Sequence, residues 1–270
     1  MTRAILVLSA LLLNAHRAWA NNPISDFAFA NGGFSAAMAA APMWYMPSGT
    51  CMPSAAEDGH GHQTNGVDTD NCNINKLNSG CPPEPRWQGR GTHYANIPGE
   101  PFAQIPTYYN VVHCNGDSSG GDESWRIVYY VYFKKDTGHM SDWEGVVLRF
   151  IKRNGGWFRE SAIMEQDGHH VHIAWGDLND TFDDVGDQGS FTNKNRNHPK
   201  LYFGKFHHSV HSDWYTDAFK NTCPPTSGTD WRNDDYQFWA RDNLRHVNNL
   251  NPNWQWGAAD SPRNMDVCSF

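Results

Sequence analysis

The sequence predicts a mainly β protein, a single-domain β-sandwich with peripheral helices and long disulfide-stapled loops. Its composition favours strands and turns, because 13% of the residues are aromatic, twelve of them Trp, and 24 Gly and 15 Pro accompany them. Runs of β-branched and aromatic residues recur between turn signals. Six cysteines predict up to three disulfides, although fifteen pairings stay open.

Residues 1–20 have the pattern of a secretory signal peptide. Arg3 precedes an apolar core at 5–13, and a small-x-small cleavage site ends at Ala20. The stretch is too short for a membrane span, and no later run reaches the ~18 apolar residues that one needs. We therefore expect a secreted, extracellular protein whose mature part, residues 21–270, is one domain.

The charge balance disfavours two classes of partner. The full sequence has a net charge of −8, which becomes −10 once Arg3 and Arg17 are removed with the leader. Nucleic-acid binding needs a basic patch, so no nucleic acid is expected as a partner. Purely electrostatic adhesion to anionic lipid is disfavoured for the same reason, although contact with a membrane surface stays open. We expect a monomer.

The first part of the mature chain is predicted to be rich in loops. Residues 27–41 are small and apolar, and a helix or strand packed on the core is favoured over a membrane-active segment, because Ala-rich segments pack closely. Residues 57–92 are rich in Gly, Pro, Asn and Asp, which indicates loops.

From residue 101 onward the pattern predicts strands. They are expected at 102–112, 125–133, 145–152, 157–164, 170–175 and 201–206. Asn154-Gly155-Gly156 is a hairpin turn signal between two of them. The clearest helix is predicted at 234–248, where apolar residues recur at nearly helical spacing.

The stretch 136–144 combines ligand chemistry with a buried strand. Asp142 and Glu144 flank Trp143, so on an extended strand both carboxylates share one face and the indole takes the other. Such a pair repels unless a cation or solvent intervenes. With Asp136 and His139 across a turn, the set favours Mg²⁺ or Ca²⁺, with Mn²⁺ as a further candidate, over structural zinc. The alternative is a solvated acidic strand end.

This stretch resembles the signature of a known family. Residues 138–144 read Gly-His-Met-Ser-Asp-Trp-Glu and are similar to the Gly-His-Arg-His-Asp-Trp-Glu heptapeptide of the necrosis- and ethylene-inducing peptide-like proteins (NLPs). An aromatic strand ending in Lys135-Asp136 precedes it, and a Val-rich strand follows. The resemblance implies a secreted β-sandwich that binds a glycan or sphingolipid headgroup at a host membrane and, in many members, lyses cells.

The resemblance also implies a metal-ligand set. The ligand positions of the family fall on Asp136, His139, Asp142 and Glu144, and the ion is usually Mg²⁺ or Ca²⁺. Met140 and Ser141 stand where the heptapeptide has Arg and its second His. The resemblance therefore implies metal binding more strongly than toxicity.

Further histidines and tryptophans are candidates for ligand binding. His169, His170, His172 and Trp143 are the candidate ligand-binding residues. His170 and His172 share a strand face on which they could add ligands or a general base near the metal. The alternative is a polar strand rim.

Two other patterns near the C-terminal end leave alternatives open. On a helix, His207 and His211 would face together as in a zinc protease, but the required Glu is absent. Trp254 and Trp256 could stack sugars or close the sandwich.

Three functions remain open. The first is a secreted NLP-like effector or cytolysin-related protein that binds a divalent cation and a glycan headgroup. The second is a secreted metal-dependent hydrolase of glycans or phosphoesters. The third is a structural protein that binds Ca²⁺ only for stability. We expect a binding protein rather than an enzyme.

Overall fold

Two β-sheets packed face to face form the framework, which confirms the predicted β-sandwich. The computed structural model describes residues 21–69, 73–84, 105–116, 122–166, 169–183, 193–213, 231–259 and 261–270. The predicted signal peptide lies outside the described residues, as do Cys72 and Cys223.

Two short helices precede eleven strands in the described residues. The helices are α1 (Asp26–Phe29) and α2 (Phe34–Ala40). The strands are β1 (Met43–Met46), β2 (Thr107–Cys114), β3 (Ser124–Lys135), β4 (Met140–Arg153), β5 (Gly156–Gln166), β6 (His169–Ala174), β7 (Thr181–Phe182), β8 (His198–Phe203), β9 (Val210–His211), β10 (Tyr236–Trp239) and β11 (Leu244–His246). Each strand predicted from the sequence has a counterpart, with shifted ends.

The larger sheet has six strands among the described residues, in the order β11-β2-β3-β4-β5-β6. Strands β2 to β6 form an antiparallel meander, and β11 pairs parallel with β2. Asn154 and Gly155 turn the chain between β4 and β5 with φ of 50° and 81°, a left-handed conformation that Asn and Gly tolerate. Strand β4 begins at Met140 rather than at 145, so most of the acidic stretch is part of the sheet.

The second sheet follows the path β10-β1-β8-β7, with β9 paired to β8. The helix predicted at 234–248 is wrong, because this segment forms β10, a 3₁₀ turn at Ala240–Asn243, β11 and another 3₁₀ turn at Val247–Asn249. All four residues of β10 pair with β1. Aromatic residues fit a pleated surface well, and this pairing outweighs the helical spacing.

The core between the sheets is largely aromatic. Trp44 of β1 packs on Phe203 of β8, and Phe203 packs on Phe133 of β3, with ring centroids 4.9 and 5.2 Å apart. Ala36 and Ala37 of α2 are fully buried against this core, which agrees with the packed interpretation of segment 27–41. In the described part of the chain, we find no helix with the length and apolarity required to cross a bilayer.

A C-terminal segment, residues 247–270, covers the outer face of the larger sheet. Its Trp256 lies against Trp143 and Tyr132, with ring centroids 5.2 and 5.0 Å away. The disulfide Cys114–Cys268 joins the segment to the end of β2, and Cys51–Cys81 closes a loop near the N-terminal end, as the stapled-loop prediction expects. The segment is therefore held in place covalently as well as by packing.

Candidate metal and ligand site

Asp136 shapes the turn that connects β3 to β4. Its Oδ1 accepts the backbone N–H groups two and three residues on, and its own N–H donates to the carbonyl of His139 at 3.1 Å. Such side-chain bonds are a common way to build a tight turn. The preceding Lys135 is buried, and its Nζ donates to the carbonyls of Asp68 and Lys76 at 3.0 and 3.2 Å. The backbone that holds Asp136 is thus anchored from both sides.

The β3–β4 register sets the direction of the acidic side chains. Asp142 lies opposite Phe133, and Glu144 lies opposite Val131. Paired residues of antiparallel strands project to the same face, so both carboxylates lie on the inner face with these core residues. Trp143 takes the outer face, where the C-terminal segment buries it to 5% exposure. The alternation predicted from the sequence therefore holds.

A cavity of about 200 Å³ lies at this end of β4. We call it the acid cavity. Its wall includes Asp136, His139, Asp142, Trp143, Glu144, Glu165 and His207. The four predicted metal ligands therefore border one space, together with two residues that the sequence interpretation did not place there. Asp142 and Glu144 are only 4% and 6% exposed, whereas the His139 side chain is one-third exposed and lies at the mouth.

His208, in the segment between β8 and β9, holds Asp142 from behind. Its Nδ1 lies 2.9 Å from Oδ2 of Asp142, and its ring stacks on Phe133 with centroids 3.9 Å apart. The Thr50 hydroxyl donates to the carbonyl of Lys205 at 2.7 Å, so its oxygen accepts from Nε2–H of His208, 3.2 Å away. His208 therefore bridges Thr50 and Asp142, and these contacts fix both the imidazole and the carboxylate.

His207 faces the other acid. Its Nδ1 lies 3.4 Å from Oδ2 of Asp136 and 3.2 Å from the hydroxyl of Thr137. The hypothesis that His207 and His211 share a helix face is wrong, because 207 lies in an irregular turn and His211 lies in β9, where its ring contacts Gln166. Adjacent histidines in a turn-rich run were the only sequence signal for this contribution.

The ionisable groups of the acid cavity perturb one another. Burial raises the pKa of Asp142, an effect that the bond with His208 opposes and the charge of Asp136 reinforces. Burial would also raise the pKa of Asp136, but the bond with His207 and the charge of His139 hold it below its usual value. Burial would lower the pKa of His139, but the two nearby aspartates raise it. The cavity thus concentrates negative charge and favours cations.

The donor chemistry of the acid cavity fits a divalent cation. Carboxylate oxygens are the ligands that Mg²⁺ and Ca²⁺ prefer, and imidazole extends the range to Mn²⁺. Across the described ranges, however, no three His, Cys, Asp or Glu side chains are placed closely enough to form a ready metal site. The metal therefore stays a prediction, and binding one would require the walls of the cavity to draw inward.

The three histidines of β6 lie beside the acid cavity and are not part of its wall. His170 pairs with Glu165 at 2.9 Å and lines a second cavity beside the first. His169 and His172 are exposed and border neither of these two cavities. Burial and the neighbouring His170 lower the pKa of His172. Their predicted part in ligand binding stays a prediction.

Fold and site together define a β-sandwich with an acidic, histidine-bordered cavity at one end of the larger sheet. No family model and no curated protein matches the chain. Solved structures similar to it include NLPPya in complex with mannosamine and an NLPPya mutant with three substitutions, each with 14% identity, a TM-score of 0.49, and coverage of 92% of this chain and 91% of that one.

Another similar structure is Necrosis and Ethylene inducing Protein 2 from the causal agent of cocoa's Witches Broom disease. It shares 14% identity, a TM-score of 0.43, and coverage of 92% of this chain and 90% of that one. At these values the likenesses do not assign the chain to a family, and the proposals below depend on its own residues.

Proposed function

We propose that this chain is a secreted NLP-like protein that binds a divalent cation in the acid cavity and, through it, a glycan or sphingolipid headgroup at a membrane surface. The observation that carries the proposal is that Asp136, His139, Asp142 and Glu144 all border one cavity. These are the positions to which the heptapeptide resemblance assigns the metal.

The electrostatics of the cavity support a cation. Asp142 and Glu144 are buried on one face of β4, and Asp136 faces them across the turn. Burying like charges together is unfavourable without a compensating positive charge. The histidine partners of the two aspartates compensate in part, and Mg²⁺, Ca²⁺ or Mn²⁺ would complete the compensation.

A bound cation also suits a sugar ligand. Ca²⁺ and Mg²⁺ accept hydroxyl and water oxygens beside carboxylates, so sugar hydroxyls can complete the coordination shell. The acid cavity is open to solvent on the His139 side, which leaves a route for such a ligand. When bound, the cation supplies a fixed positive charge for the hydroxyls, and His139 stands beside it at the mouth.

Secretion is supported by the leader-like N-terminus and by two disulfides. Cys51–Cys81 and Cys114–Cys268 indicate an oxidising compartment. The position where the heptapeptide has Arg holds Met140, which is 51% exposed, and Ser141 is buried and contacts the hydroxyl of Tyr132. A surface without these cationic groups favours binding over lysis, so we propose a headgroup-binding protein rather than a cytolysin.

The test combines metal titration with glycan binding. Calorimetry with Mg²⁺, Ca²⁺ and Mn²⁺ is expected to detect one site in the wild-type chain. The wild-type chain is also expected to bind glycosphingolipid liposomes, mannosamine and glycans on an array, but only when no chelator is present. Asp142→Asn and Glu144→Gln should abolish both signals. Asp177→Asn removes an exposed acid outside the acid cavity and should change neither.

Three results would contradict the proposal. If the wild-type chain binds no metal, the proposed cation site does not exist. If glycan binding persists in the presence of chelator, the glycan does not bind through the cation. Metal-stimulated turnover of a glycan or phosphoester would instead support the hydrolase alternative.

A further inference from the structure

A second cavity of about 510 Å³ adjoins the acid cavity. We call it the tail cavity, because residues 254–270 of the C-terminal segment form most of its wall, opposite Glu165 and His170 at the β5–β6 end. Glu165, Ala259 and Met265 border both cavities. A ligand seated at the mouth of one can therefore extend into the other.

We propose that the tail cavity binds an uncharged sugar unit adjacent to the one held at the cation, so that the chain recognises an oligosaccharide rather than a single sugar. This inference rests on the proposed function. It assigns a binding role to the C-terminal segment, which the heptapeptide resemblance does not cover.

Hydrogen bonds and a disulfide hold the wall of the tail cavity against the larger sheet. Arg126 is a buried residue, and its Nη1 donates to the carbonyls of Val267 and Phe270, both at 2.7 Å. The Tyr130 hydroxyl lies 2.7 Å from Sδ of Met265. With the Cys114–Cys268 bond, these contacts fix the C-terminal end of the wall to the sheet. A fixed wall limits the entropy lost when a ligand binds.

Aromatic and polar groups alternate along this wall. Trp254 is half-buried and stands edge-on to Trp256, with centroids 5.9 Å apart. The Phe270 ring lies 4.2 Å from that of His170. Asn264 exposes a side-chain amide to the same space. Sugars present C–H faces to aromatic rings and hydroxyls to amides and carboxylates, so this mixture suits them.

The volume and the charge of the tail cavity further narrow the range of ligands that it could bind. Small-molecule sites typically enclose about 300–1,000 Å³, and the tail cavity lies within that range. Its wall includes the acids Glu165 and Asp266 but no Lys or Arg. The Glu165 carboxylate is paired with His170 at 2.9 Å, a planar polar pair at the junction of the two cavities. Anionic sugars would meet repulsion here, whereas neutral sugars would not.

The experiment compares mannose with mannobiose and mannotriose by calorimetry in the presence of the cation. Wild type should bind the disaccharide at least about tenfold more tightly than mannose, because a buried aromatic contact is a typical main contributor to affinity. Trp254→Ala should abolish this preference while leaving the affinities for metal and mannose unchanged. Trp254→Phe should retain most of it.

Two further variants show whether a lost preference in Trp254→Ala reflects the missing contact or a misfolded chain. Asn264→Ala alters an exposed side chain of the same wall and should reduce the disaccharide preference about threefold or more, the value of one lost hydrogen bond. Trp125→Ala removes a half-buried indole that packs on Phe29, on the face of β3 opposite the tail cavity, and should have no effect on the preference.

The outcomes separate the two proposals. If wild type binds metal and mannose but prefers the disaccharide no more than Trp254→Ala does, the tail-cavity inference is overturned and the proposed function stands. If wild type binds no sugar at all, both are overturned. Tighter binding of a uronic-acid disaccharide than of mannobiose would overturn the assignment to an uncharged sugar.

Discussion

Replacing Asp142 by Asn distinguishes the contribution of this carboxylate to cation binding from its contribution to folding stability. The side chain is 6% exposed, and burial raises its pKa, so its negative charge is unfavourable without a cation. The amide has the same shape and can still bond His208. We therefore expect the metal-free variant to be as stable as the wild type or slightly more stable, while its response to metal is lost.

The size of that response follows from mass action. A ligand at about 100 times its Kd stabilises the folded state by about 2.7 kcal/mol. For a chain of this length, that raises the Tm by about 5–11 °C. Loss of a group that supports a metal ligand typically weakens affinity about 10- to 100-fold, and loss of the ligand itself should do no less. At the same metal concentration, a 100-fold weaker site gives about 0.4 kcal/mol, or about 1 °C.

Thermal unfolding with and without Mg²⁺, Ca²⁺ and Mn²⁺ measures this difference. Asp177→Asn is the matched control, since it removes an exposed acid outside the acid cavity, and it should show the full wild-type shift. An equal metal-induced shift in Asp142→Asn and wild type would show that Asp142 is not a metal ligand. A large loss of stability in the metal-free variant would show that the carboxylate is structural.

Three further predictions test the surroundings of the site. His208→Ala should weaken the metal affinity measured by calorimetry about 10- to 100-fold and lower the unfolding free energy by about 1–3 kcal/mol, because a buried carboxylate loses its partner; full metal affinity would exclude a positioning role. Burial lowers the pKa of His198 to about 3, below the value of about 6.5 in the unfolded chain. The stability that neutral His198 contributes is therefore complete above pH 6.5 and is lost toward pH 3, and urea titrations should show the free energy of unfolding falling by up to about 1.4 kcal/mol per pH unit. The same pH dependence in His198→Gln would show that His198 is not its cause. Replacing Cys114 and Cys268 together by Ser should lower the unfolding free energy by about 2–5 kcal/mol, and unchanged urea unfolding would show that packing alone holds the C-terminal segment.

The strands of the larger sheet could be predicted because their signals are local. The run 125–133 is apolar and aromatic except for Arg126, and the Asn154-Gly155 pair marks the hairpin that follows the next strand. The opposite faces of Trp143 and its two acidic neighbours also follow from strand alternation alone. These features depend on residues a few positions apart.

The segment 236–246 could not be predicted in this way. Its apolar residues have nearly helical spacing, but its conformation is decided by pairing with β1 and β2, which lie about 190 and 140 residues earlier in the chain. Nothing in the local sequence reports such partners. Short strands of this kind take their conformation from the sheet they join.

Some residues of the candidate site could likewise be predicted from the local sequence, and others could not. Asp136, His139, Asp142 and Glu144 form a contiguous pattern that the sequence displays. His207 and His208 approach the acids from more than sixty residues away, and Glu165 comes from a neighbouring strand. The two cavities owe their shape to a C-terminal segment whose position depends on a disulfide that the cysteine count could not pair.

Anomalous diffraction from a crystal soaked in Mn²⁺ would show directly whether the acid cavity binds a divalent cation. We expect one strong peak in the acid cavity, about 2.0–2.5 Å from oxygens of Asp136, Asp142 or Glu144, and a weaker one after competition with Mg²⁺ or Ca²⁺. A map with no peak in the acid cavity, or with its main peak elsewhere on the chain, would contradict it.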